Sequence, residues 1–125
     1  MSAFDPLHDI HHYSPTLTIK QLLTFFERKE LPITRGMVQN YIRAGLLPPA
    51  DDRIYTHKHL AALVIIHRLK EVYDMPTIKK TLLPMMDNEG LPLEKYTQMY
   101  NALDAAYAHW NTHMTAAFGD ALRLG

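Results

Sequence analysis

The placement of proline and glycine constrains this chain more than any other feature. Pro32, the Pro48-Pro49 pair, Pro76, Pro84 and Pro92 recur between runs of apolar residues. Proline cannot donate a helical hydrogen bond, and it drives the residue before it away from the helical region. Each of these sites therefore opens or closes a helix instead of lying inside one. As far as Pro92 the chain is cut into short helical segments, none of which can bury its apolar face alone.

The segments follow from capping and spacing. Thr18 is placed to cap a first helix with Leu22, Leu23, Phe25 and Phe26 at helical spacing, ending near Lys29 before Leu31-Pro32. Thr34 caps a second, Arg35 to Ala44, stopped by Gly45 at the position after the cap. Its inward face is Val38, Tyr41 and Ile42, with Leu46 beyond; its outward face is Arg35, Gly36, Gln39, Asn40 and Arg43. Leu47 to Asp52 reads as a turn and Arg53-Ile54-Tyr55 as a short strand. Thr56 caps a third helix to about Tyr73, with core positions Leu60, Leu63, Val64, Ile66, Leu69 and Val72. Its apolar residues cover more than one stripe, which marks a central helix. Pro76 suits the first turn of a fourth helix ending at Pro84.

After the Asn88-Glu89-Gly90 loop, Pro92 opens the longest helical run, to about Leu122. Leu93, Tyr96, Tyr100, Leu103, Tyr107, Trp110, Met114, Ala117 and Ala121 alternate by three and four residues, an a/d seam over about four heptads. A helix of that length spans roughly 45 Å. Residues 1–16 read as an N-terminal arm, ordered in part by Leu7, Ile10 and Tyr13.

Composition bounds the function. The chain has 125 residues and no cysteine, so disulfides and thiolate metal sites are excluded, in keeping with a cytoplasmic location. The N-terminus lacks the basic and apolar regions of a signal peptide, and Leu60 to Ile66 is too short to span a membrane. Net charge is zero, but residues 18–86 hold eleven Lys or Arg against six Asp or Glu, while the rest holds two against seven. Such asymmetry is a hint of a nucleic-acid face beside a differently employed tail.

Ile33 to Leu83 resembles the DNA-binding domain of the MerR family, closest to a MerR-like group of small bacterial proteins. The resemblance is carried by Thr34-Arg35-Gly36-Met37-Val38-Gln39-Asn40-Tyr41-Ile42-Arg43-Ala44-Gly45-Leu46-Leu47-Pro48-Pro49, then Arg53-Ile54-Tyr55-Thr56, then His67-Arg68-Leu69-Lys70. The family usually has an Arg and two tyrosines on its recognition helix, where this chain has Gln39, Asn40 and Tyr41. The expected fold is mostly all-α: a winged helix-turn-helix of four helices with a short β wing over 17–87, plus a long C-terminal helix over 91–123. The implied function is that of a sequence-specific transcriptional regulator, with no catalysis and no cofactor, binding double-stranded DNA as a homodimer.

Residue chemistry fits that expectation. A helix enters the major groove, where Arg35 and Arg43 suit guanine or phosphate and Gln39 and Asn40 have the amide geometry that reads adenine. Thr34 and the helix N-terminus offer donors to phosphate. Arg53 and Tyr55 belong to the wing, with His57 and Lys58 beside it. Tyr41 is a candidate contact too, although Tyr41 and Tyr55 equally suit packing. The dimer seam would use Tyr96, Tyr100, Leu103, Tyr107, Trp110 and Met114, or the same residues would pack within the chain. A small apolar effector between the aromatic helices is a further possible partner.

Other constellations are weaker. His109 and His113 have metal-ligand spacing, and His8, His11 and His12 cluster, but neither group has the companion ligands of a known site. The only serines, Ser2 and Ser14, lie in the arm, and no glycine-rich phosphate loop or paired carboxylate is present. The alternative function is a protein-interaction module built on the winged scaffold and the aromatic C-terminal helix.

Overall fold

The computed structural model describes residues 5–105. It is mostly helical, with one small antiparallel sheet of two strands. Strand β1 is Thr16–Leu17, followed by α1 (Ile19–Arg28), α2 (Arg35–Arg43), β2 (Tyr55–Thr56), α3 (His57–Leu69) and α4 (Met75–Leu82). A last helix, α5, is helical over 93–105 within the described residues. Short 3-10 turns occupy Ile10–His12 and Leu83–Met85. No described helix is long and apolar enough to cross a membrane.

The helix boundaries have local causes. Thr18 accepts from the Gln21 amide while the Gln21 side chain accepts from the Thr18 amide, a reciprocal capping box. Thr34 accepts from the Met37 amide at 3.2 Å, and Asp74 from that of Thr77 at 3.0 Å. Both α1 and α2 end in Schellman motifs. In α2, Leu46 N–H reaches Tyr41 O and Gly45 N–H reaches Ile42 O, with Gly45 at φ +75°. In α1 the same left-handed position is held by Glu30 at φ +60°, with Leu31 N–H on Phe26 O. The ε-ammonium of Lys79 on α4 adds a bond to Ala44 O at 2.9 Å, placing a cation at the negative end of α2.

Helix α3 is the centre of the core. Leu60 through Ile66 are all buried, a run that only a helix surrounded on every side can hide. Leu22, Phe25 and Phe26 of α1, Val38 and Tyr41 of α2, and Ile78 and Leu82 of α4 belong to the same cluster. The expectation that α3 runs to Tyr73 is corrected. It stops at Leu69, because Asp74 caps the next helix and the chain must turn first. Val72, expected in the core, is 72% exposed.

The described part of the N-terminal segment, 5–16, is not a free arm. Leu7 and Ile10 are buried with the core, and Tyr13 sits edge-on to Phe25 at 4.9 Å. Lys29 bonds Asp9 at 2.6 Å, and Tyr96 of α5 donates to Asp5 at 2.6 Å. The segment then enters β1, whose Leu17 opposes Tyr55 and whose Thr16 opposes Thr56.

The expected strand at Arg53-Ile54-Tyr55 is corrected as well. Asp51 and Ile54 exchange backbone bonds, with N–H to O distances of 3.1 and 2.9 Å, across a two-residue turn. Asp52 and Arg53 form that turn at φ +50° and +64°, the signs of a type I′ hairpin. Arg53 therefore stands at the tip, and only Tyr55 and Thr56 are strand.

Candidate nucleic-acid interface

Arg35 and Gln39 are four residues apart on α2 and so project from one face. They line an open groove of about 440 Å³ together with Ile19 at the start of α1, Ala50 and Arg53 of the hairpin, and Tyr55 of β2. The groove thus joins three separate stretches of sequence, and no carboxylate is among its lining residues. Arg35, Gln39 and Arg53 are exposed, whereas Tyr55 is buried and forms the wall. Tyr55 is fixed there by its strand pairing with Leu17 and by an edge contact to the His59 ring at 5.1 Å.

Asn40 and Arg43 are also exposed on α2 but lie outside this lining; Arg43 Nη1 reaches Asn40 Oδ1 at 3.4 Å. Thr34 is exposed, with its hydroxyl oxygen engaged by the helix cap. Tyr41 is corrected from a contact candidate to a core residue. It is 4% exposed, its hydroxyl is buried with no hydrogen-bond partner, and Lys70 Nζ lies 5.6 Å from its ring centre.

The two residues beside the hairpin are already engaged. His57 Nε2 bonds the Ser14 carbonyl at 2.8 Å, tying α3 to the N-terminal segment. Lys58 pairs with Asp87 at 2.7 Å. That hydrogen bond raises the Lys58 pKa and lowers that of Asp87. A phosphate at Lys58 would compete with a carboxylate for its charge.

Two supporting residues escaped sequence reasoning. His59 is 2% exposed; its Nδ1 accepts from the Thr56 amide at 3.1 Å and its Nε2 donates to Pro48 O at 3.1 Å. Burial lowers its pKa, keeping the neutral ring that this bonding requires. Its signal is visible afterwards: it stands three residues past the Thr56 cap, where Glu or Gln would ordinarily close a capping box. Lys79 is the other: its bond to Ala44 O depends on how α4 packs, which no local sequence signal announces.

The seam on α5 needs a correction. Tyr96 and Tyr100 are 2% and 3% exposed within the single chain, so they are not a surface for a second subunit. Their rings stack at 5.6 Å, and Arg68 of α3 lies 5.0 Å from the Tyr100 ring centre. Burial raises the pKa of both phenols. Leu103 is half-buried against the same core. Tyr107, Trp110 and Met114 lie outside the described residues, as do His109 and His113. Among the described residues, no three of His, Asp and Glu come together as a metal site.

These features define a mostly helical domain whose second helix and following hairpin frame a carboxylate-free groove bearing two arginines. The chain belongs to a family described as a domain of unknown function, DUF1836, which matches residues 9–103. The match takes in the N-terminal segment from residue 9 and most of described α5 together with the helices between them. No curated protein and no solved structure matches the chain.

Proposed function

We propose that this protein is a cytoplasmic regulator that binds duplex DNA, with a winged helix-turn-helix of the MerR type as its reading unit. In this proposal α2 is the recognition helix and the Asp51–Ile54 hairpin is the wing. The observation that carries it is the convergence of Arg35 and Gln39 with Arg53 on one groove without a carboxylate in its lining. Gln39 and Asn40 would read base edges, and Arg35, Arg43 and Arg53 would hold guanine or phosphate. Tyr41, Tyr55 and His59 act behind them, holding the helix and hairpin in position. The reading requires no catalysis.

A homodimer on a two-fold site is part of the proposal. Its seam excludes Tyr96 and Tyr100 and falls to the heptad positions Tyr107, Trp110 and Met114.

Selection of bound duplexes from a random library tests the reading and gives half-site spacing. The selected duplex should bind with an affinity that falls steeply with salt, by a log–log slope of about −0.9 per phosphate contacted. Arg35→Ala should cost about tenfold or more in affinity. An unenriched library, or binding indifferent to Arg35 and Arg53, overturns it.

The reading as a protein-interaction module has one observation in its favour. Val72, Tyr73 and Leu83 are large apolar side chains exposed at 72%, 52% and 39%. Double substitution of Val72 and Tyr73 by serine would impair partner binding and leave DNA affinity unchanged.

A further inference from the structure

A second groove, separate from the one framed by α2 and the hairpin, lies between the N-terminal segment and α1. It has a volume of about 310 Å³, at the lower end of the range for small-molecule sites. Its apolar lining is Leu17, Phe25 and Tyr13; Phe25 and Leu17 are buried, and Tyr13 is fixed edge-on to Phe25. Lys20, Thr24 and Arg28 also line it, spaced four residues apart along one face of α1.

The charges here are unbalanced. The lining contains two cations and no carboxylate. Among the described residues the ion pairs are Lys29 with Asp9 and Lys58 with Asp87, so neither Lys20 nor Arg28 is neutralised. Their long stems let both heads reach toward Thr24, whose hydroxyl adds a donor. An apolar lining with cations and a hydroxyl along one face matches an organic anion of small size. A nucleic-acid backbone would use the cations and leave the apolar lining without a partner.

We propose that this groove binds a small amphipathic carboxylate. Its aromatic or alkyl body would lie on Phe25, Leu17 and Tyr13, and its carboxylate would be held by Lys20 and Arg28 over Thr24. The site is connected to the first groove. Leu17 belongs to the lining here, and its strand partner Tyr55 lines the other. A bound molecule would thus press on the ladder that carries the hairpin.

The test uses the full chain labelled with 15N and titrated with 4-phenylbutyrate, beside its uncharged amide, 4-phenylbutanamide. Saturable shifts are expected at the amides of Ser14, Lys20, Gln21 and Thr24, with the amide about tenfold weaker. Lys20→Gln with Arg28→Gln should weaken the acid about tenfold and leave the amide alone. Thr24→Leu fills the centre of the groove with both charges kept, and should weaken both compounds. The proposal is overturned by absent saturation, by equal binding of acid and amide, or by shifts that ignore all of these substitutions. It is also overturned if the double variant only lowers the salt dependence of DNA binding, which would assign the cations to phosphates. The ligand titrations themselves read this groove whether or not the chain binds DNA.

Discussion

The His59 ring bonds the Pro48 carbonyl at 3.1 Å and so joins the first turn of α3 to the segment that leaves α2 for the hairpin. The ring accepts from the Thr56 amide on its other nitrogen, so it serves only as the neutral tautomer protonated on Nε2. Protonating Nδ1 would set a donor against a donor inside the core.

This makes stability depend on pH with a definite sign. Burial lowers the His59 pKa from 6.5 in the folded chain. The stabilisation is therefore complete above 6.5, the unfolded value, and is lost as pH falls through it toward the folded value. Urea midpoints should drop between pH 7.5 and 5.5 for the native chain and change less for His59→Gln. Parallel pH profiles for the two would refute this role.

Arg53 occupies a left-handed conformation that costs an ordinary side chain about 1 kcal/mol. Glycine removes that cost, so Arg53→Gly should stabilise the fold by about 1 kcal/mol in urea unfolding, less any loss from added chain entropy. The same variant should bind the selected duplex several-fold more weakly. A variant that binds DNA as well as the native chain would remove Arg53 from the interface.

Tyr41 should show a similar gain in stability without the loss of affinity. Its hydroxyl is buried without a partner, so Tyr41→Phe removes an unsatisfied group and should raise stability by up to about 1 kcal/mol. DNA affinity should not change. A loss of affinity on fluorescence anisotropy would restore Tyr41 as a contact.

Gly90 has φ +133°, and a Cβ there would lie 2.5 Å from the Lys58 carbonyl oxygen. The approach exists because Leu91 N–H bonds that carbonyl at 3.0 Å, anchoring the loop before α5 on the start of α3. Gly90→Ala should cost more than about 3 kcal/mol, since both backbone strain and a clash with main chain apply. Thermal unfolding would measure it, and an unchanged midpoint would contradict the packing.

Much of the helical framework was legible because its signals are local. Thr18, Thr34 and Gly45 each act on backbone groups within four residues, so residue type and spacing sufficed. The end of α3 was misjudged at Val72 because apolarity alone does not tell a helix from the turn that follows. Asp74, the capping residue that decides the matter, was not singled out from the sequence. The end of α1 was located near Lys29, but the left-handed Glu30 beyond it lacks the glycine that would announce a Schellman motif.

The candidate site was legible in part. Arg35 and Gln39 follow from the helical period of α2, whose outward face is set by where Val38 and Tyr41 must go. That Arg53 meets them from a hairpin tip required the tertiary structure, because two residues of the same polarity could form a strand or a turn. The seam shows the same division. The heptad spacing of Leu93, Tyr96, Tyr100 and Leu103 specifies an apolar stripe along a helix, and the sequence determined that much. It could not determine what covers the stripe, because periodicity carries no information about the partner. Burial of Tyr96 and Tyr100 within this chain, with Asp5 on one phenol and Arg68 on the other ring, decided it. Contacts between residues as distant as Asp5 and Tyr96 are settled by the geometry of the whole core, and only the folded chain contains that geometry.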